Sequence, residues 1–158
     1  MAGAKSTLLL EDMKEKGIIK IMPKVFTSQN QKIGEIGESV ACKYLLNKGF
    51  KIIERNYTKK WGEIDIVSEK EGKLYFIEVK AVSRVTLDNV SSETITDEYR
   101  PEDNMHPWKL KRLGRAIQTY LLERKIWQDA EWQLDLAVVY LDMTNRKGKV
   151  KILSDIVI

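Results

Sequence analysis

The stretch GEIDIVSEKEGKLYFIEVKAVS, residues 62–83, holds two strand-like apolar runs with charges set inside them. Asp65 interrupts EIDIV, and Glu78 and Lys80 interrupt YFIEVKAV. Ionised groups leave water only when paired, hydrogen-bonded or bound to a metal. A fold that buries these runs must therefore provide for three charges. SEKEGK between the runs has turn chemistry and predicts a hairpin. Side chains alternate along a strand, so Glu78 and Lys80 share a face, about 6.6 Å apart. Asp65 lies on the preceding strand, with Ile64 and Ile66 turned to the other side, and a paired hairpin lets it converge with Glu78. Two carboxylates held together repel, and a divalent cation relieves the repulsion. Oxygen-only ligation of this kind suits Mg²⁺ or Mn²⁺, which bind one or two carboxylates and keep several waters for a substrate phosphate to replace. One cysteine and one histidine cannot build a familiar zinc site. Lys80 beside such an ion could position or deprotonate an attacking water, or neutralise charge in a phosphoryl transition state. The same spacing also describes a salt bridge of Lys80 with Glu78 or Asp65 on a solvated sheet face.

The flanking sequence supplies a frame. From Gln29 to Gly49 apolar residues recur with helical spacing (Ile33, Ile36, Val40, Ala41, Tyr44, Leu45), with Ser28 as N-cap and NKG as the stop. Gly34 and Gly37 weaken this helix and suggest close approach of a neighbouring backbone. Strands are expected at about Lys51–Thr58, Glu63–Ser68 and Leu74–Ala81. A second helix is expected from Pro107 to Ile126, with Pro107 in its first turn. Two further strands follow in WQLDLAVVYLD and KVKILSDIVI. This order predicts an α/β or α+β layer architecture. At 158 residues and 43% apolar content, one domain can enclose a real core. Residues 1–28 read as an N-terminal extension, flexible or frayed, ahead of a domain at 29–158. The segment from Ser83 to His106 is polar, aperiodic and long for a loop, with Tyr99 and Arg100 as a stacking pair or an ordinary loop as the alternatives.

Charge distribution says more than charge. Between Trp108 and Lys125 the second helix has a local excess of +5, against +4 for the whole chain. Lys109, Lys111, Arg112 and Arg115 lie on its first half, the footprint expected for a polyanion such as nucleic acid. A merely solvated helix face would look the same. No apolar run is long enough for a bilayer span, and STLLLED is too short for a secretory segment. With the lone Cys42 on an apolar helical stripe, a reduced cytoplasmic setting is expected.

The blocks GEIGESVACKYLLNKGFKIIERNY, GEIDIV, FIEVK and KLKRLGRAIQTYL, in that order over residues 31–141, resemble the YraN-type family. That family is similar to the Holliday-junction-resolvase branch of the PD-(D/E)xK nucleases. The resemblance implies a restriction-endonuclease-like core, a central mixed sheet flanked by helices. It also implies catalytic roles for Asp65, Glu78, Lys80 and Glu38, with Asp65, Glu78 and Glu38 as metal ligands. Glu38 is otherwise a helix acid at the border of the apolar stripe, and Glu63 a strand-surface acid. The chain departs from the family pattern in its long segment after FIEVK, and in reading Gln133-Leu134-Asp135 where Arg-Phe-Asp is usual; Asp135 is expected to be structural. His106 is not needed by such chemistry, and Trp61, Trp108, Trp127 and Trp132 are expected as packing anchors. The expected function is Mg²⁺- or Mn²⁺-dependent hydrolysis of DNA phosphodiesters, extending to branched or non-B-form DNA. A homodimer would suit symmetric junctions. A nucleic-acid-binding module without turnover is the alternative, and a salt-bridged structural adaptor a third.

Overall fold

A computed structural model describes residues 7–9, 28–83 and 105–158. The Tyr99–Arg100 pair and nearly all of the long segment after FIEVK fall outside the described residues.

The first helix, α1 (Gln29–Asn47), begins where the Ser28 hydroxyl accepts from the Gln31 amide at 3.3 Å. It ends at Lys48 and Gly49, whose φ of +84° is the left-handed geometry that stops helices. Three strands follow, β2 (Lys51–Lys59), β3 (Gly62–Lys70) and β4 (Lys73–Val82), after a short β1 (Thr7–Leu9) that precedes the helix. The β3–β4 turn is tighter than the sequence suggests. Only Glu71 and Gly72 lie outside the strands, both at positive φ (52° and 79°), as a two-residue hairpin turn with matching twist requires.

Helix α2 (Pro107–Glu123) then crosses over to β5 (Trp132–Asp142), which lies parallel to β4. The expected helix to Ile126 stops three residues early, with Lys125 at φ 58°. Strand β6 (Lys147–Leu153) returns antiparallel to β5 through a turn in which the Asn145 amide and side chain donate to Asp142. The expected strand over 149–158 is shorter at its end. Beyond Leu153 the chain turns across the sheet, with the Ile156 amide donating to the Leu134 carbonyl and the Asp155 amide to Asp135. Asp135 is 4% exposed and also accepts from Gln133, so its role is structural.

The strands form one mixed sheet in the order β1-β6-β5-β4-β3-β2, with five main strands and the three-residue β1 at the edge. Side chains divide between two helices, but alternation breaks at Asp65: Ile66 lies on the α1 side and Ile64 on the α2 side, against the expectation that the two share a face. Ile66, Ile77, Ala137, Val139 and Leu141 pack on Val40, Ala41 and Leu45 of α1. Val67, Leu74, Phe76 and Leu134 pack on Leu113, Ala116, Ile117 and Leu121 of α2. Strand β5 is buried on both faces, which its unbroken apolar run LAVVYL permits. The result is the α/β sandwich of a restriction-endonuclease-like core.

Two glycines set the helices against the sheet. A Cβ on Gly37 would stand 2.6 Å from the Ala81 Cβ, so α1 approaches β4 more closely than any larger residue allows. Gly34 has no such neighbour, and the sequence-based expectation holds for Gly37 alone. A Cβ on Gly62 would stand 2.5 Å from the Arg112 carbonyl oxygen, so α2 presses on the start of β3.

Candidate active site

Strands β3 and β4 are paired at their hairpin end and separate at the other. Their ladder runs from Lys70–Lys73 to Ile66–Ile77 and stops there. Beyond it, β3 continues only with β2, and β4 only with β5, where Glu78 lies opposite Leu136 and Lys80 opposite Val138. The parting strands leave a fork, and Asp65 and Glu78 are the first residues in it. In place of a main-chain acceptor, Asp65 Oδ2 accepts from the Val79 amide at 2.7 Å. The carboxylate thereby spans the gap and is fixed in orientation.

A cavity of about 280 Å³ opens at this fork, lined by Gly62, Glu63, Asp65 and Glu78 from the sheet and by Trp108, Lys109, Arg112 and Leu113 from α2. Glu78 is 7% exposed. Burial, reinforced by the negative charge of Glu78, pushes the Asp65 carboxyl up to about 8 against the lowering effect of the Val79 amide, with Glu38 and Glu63 adding further negative charge. Among the charges acting on Asp65, the neighbouring ones are negative.

The sequence-derived residues divide into three groups. Asp65 and Glu78 meet. Glu38 stands nearby on α1 but faces Arg55 of β2 at 3.6 Å, and Arg55 also donates to Ser39. Burial raises the Glu38 pKa, opposed chiefly by Arg55. Among the described residues no three acids, cysteines or histidines come together closely enough to hold an ion; Glu38 adds its negative charge to the surroundings of Asp65. Lys80 is half-buried on the Glu78 face of β4 and, among the described residues, makes no ion pair. The cation that meets Glu78 is Lys109 Nζ, from the first turn of α2. The salt bridge available to Lys80 from its spacing is therefore taken by another lysine.

Along α2, Arg112 lines the cavity and donates its Nε to the Trp61 carbonyl at 2.9 Å, while Lys111 and Arg115 are exposed. His106 is exposed at the N-cap and makes no capping bond. The expectation that all four tryptophans anchor packing needs correction. Trp132 packs edge-on against Phe76, but Trp108 is 60% exposed at the cavity rim, and Trp61 and Trp127 are 40% and 46% exposed. Sequence reasoning also misses Gly62, whose signal is a glycine at the mouth of an apolar strand. Arg55 gives no signal, because its partner lies on another element.

Two carboxylates with no nitrogen or sulfur donor make a hard, incomplete coordination set. Such a set fits Mg²⁺ or Mn²⁺ and leaves most of the coordination sphere to water and phosphate oxygens.

The family model of the uncharacterised protein family UPF0102 matches residues 37–139, a span containing Glu38, Asp65, Glu78, Lys80 and Lys109. A UPF0102 protein of Alkaliphilus oremlandii is 33% identical over 121 residues, covering 77% of this chain and 93% of that protein. One from Campylobacter lari is 36% identical over 106 residues, covering 67% and 81% respectively. One from Campylobacter fetus is 33% identical over 120 residues, covering 76% and 88%. With its core matched from α1 into β5, the chain belongs to the UPF0102 family, the YraN-type group of restriction-endonuclease-like proteins that its motifs resemble.

Proposed function

We propose that the protein is a divalent-cation-dependent nuclease that hydrolyses phosphodiester bonds in DNA, with branched or partly unpaired DNA as its substrate. The observation that carries this reading is the convergence of Asp65 and Glu78 in the β3–β4 fork, inside a cavity whose other wall is the basic first half of α2. Asp65 and Glu78 hold the ion; when bound, it polarises a phosphoryl oxygen and acidifies a water. The Val79 amide keeps Asp65 aimed into the fork. Lys80, two residues beyond Glu78 on the same face, orients the attacking water or stabilises charge on the phosphoryl oxygens. The water oxygen adds to phosphorus and gives up a proton, the bond to the leaving deoxyribose oxygen breaks, and that oxygen takes up a proton. Lys111 and Arg115 meet the nucleic-acid backbone. Trp108 offers an exposed ring on which an unpaired base can stack, which favours substrates with unpaired bases.

The test uses labelled single strands, duplexes, flaps and four-way junctions with Mg²⁺ or Mn²⁺. Asp65→Asn and Glu78→Gln should lose both Mn²⁺ binding and cleavage. Lys80→Met should stay folded and bind Mn²⁺, yet cleave roughly 10²-fold more slowly, the loss typical of one transition-state stabiliser. DNA binding without cleavage in any metal would instead support a binding module, and a Lys80→Met variant that cuts at the wild-type rate sinks the assignment.

A further inference from the structure

The ion pair between Lys109 and Glu78 makes sense as a holding position. Glu78 has a side chain only 9% exposed, whereas that of Lys109 is 37% exposed and hangs on a flexible four-carbon stem. Among the described residues, no other cation pairs with Glu78. Lys109 also stands in the cavity that Asp65 shares, where negative charge is in excess. A lysine ammonium and a divalent cation compete for the same carboxylate oxygens, and an ion arriving there leaves Lys109 without its partner.

We propose that Lys109 is the phosphate-binding group of this cavity, held on Glu78 until a divalent cation displaces it. Released, Lys109 turns from the carboxylate to a non-bridging oxygen of the phosphodiester that the ion binds. Three features support that destination. The ammonium is a compact charge with three donors and enough stem to move. Its residue is the third of α2, where the main-chain dipole also favours an anion. Arg112, one turn on, borders the same cavity and adds positive charge. The exchange has a thermodynamic consequence. Metal and DNA phosphate each favour the released form of Lys109, so each strengthens the binding of the other, reciprocally. Without metal Lys109 stays on Glu78 and the site holds phosphate weakly; without DNA it holds metal weakly.

The inference rests on the nuclease reading, and one set of titrations separates their failures. Mn²⁺ binding is measured by calorimetry for wild type, Lys109→Met and Lys109→Arg in the absence of DNA. Binding of a fluorescent single strand is then measured for each in EDTA and in Ca²⁺, with an Asp65→Asn control. Lys109→Met should bind Mn²⁺ more tightly, by roughly tenfold, because the competing cation is gone. It should lose most of the metal-induced gain in DNA affinity. Lys109→Arg, which keeps the charge, should resemble wild type in Mn²⁺ affinity. Lys109→Met with unchanged or weaker Mn²⁺ binding, while wild type binds the ion, overturns the exchange and leaves the nuclease reading standing. Tighter Mn²⁺ binding with the metal–DNA coupling intact overturns the phosphate role. Wild type that binds no Mn²⁺ overturns both.

Discussion

At the scale of a single side chain, Asp65 accepts a main-chain hydrogen bond and has its carboxyl raised to about 8. Its pH consequence has a definite sign. An unfolded aspartate ionises near about 4. Between that value and about 8 the folded chain therefore binds more protons than the unfolded one. Metal-free stability must fall as pH rises through this window and level off above it. Asp65→Asn should flatten that slope and be more stable than wild type at pH 8 in EDTA, as chemical denaturation at several pH values will read. Below pH 8, Mn²⁺ binding should also expel about one proton, visible as a buffer-dependent calorimetric enthalpy. The meeting of Asp65 with Glu78 was legible in the sequence, because a hairpin between the two strands sets the register that brings them opposite. The partner of Glu78 was not. Lys80 is the near lysine in sequence, but Lys109 is the near one in space, and only packing of α2 on β3 reveals that.

The elements themselves were legible where the signal was local. Ser28, Gly49 and Pro107 mark helix ends because caps are chemistry of one or two residues. The helix past Glu123 and the strand past Leu153 were over-read, since each tail holds an apolar residue at a fitting position: Ile126 packs against the α2 core, and Ile156 is bonded to β5 without joining a ladder. At this scale the seat of α2 matters most. Gly62→Ala would set a methyl against the Arg112 carbonyl, a backbone atom that cannot swing aside. It should cost about 1–3 kcal/mol, the usual range for overpacking, and tighten Mn²⁺ binding by drawing Lys109 away from Glu78. Thermal unfolding and calorimetry on the one variant check both. The exposed cations of the same helix act differently. Neutralising Lys111 and Arg115 together should leave stability within about 0.5 kcal/mol. It should also lower the log–log salt slope of DNA binding by about 2, with affinity for all sequences reduced alike. An unchanged slope would place the DNA on another face.

Across the whole molecule, the layered architecture follows from the alternation of elements, but the strand order does not. That β4 and β5 are parallel neighbours is imposed by the α2 crossover, and no short stretch of sequence encodes it. The family resemblance supplied the mixed sheet that periodicity could not. The extension shows the limit of pattern reading most clearly: Thr7–Leu9 pairs with β6 as an edge strand, although three residues are too few to carry a period. Deleting residues 1–27 removes that strand and uncovers an edge bearing Lys147, Lys149 and Lys151, charges that discourage pairing between molecules. The truncated chain should still unfold in one cooperative step, with a Tm a few degrees lower and Mn²⁺ affinity unchanged, by scanning calorimetry and titration. Loss of cooperativity would mean that the extension belongs to the core.

The fork between β3 and β4 also bears on how such a site could be lost. Because Asp65 stands in for a missing ladder acceptor, its removal would strand the Val79 amide, whereas Asn keeps a carbonyl oxygen there. A lineage that abandons chemistry should therefore drift to Asn at this position sooner than to Ala or Val. Among the described residues Glu78 makes no such bond, so it can become Gln, Leu or Met once Lys109 changes with it. A designer seeking to empty the fork of charge while keeping the fold can follow the same route, exchanging the first acid for its amide and the second, together with its lysine, for a pair of apolar side chains.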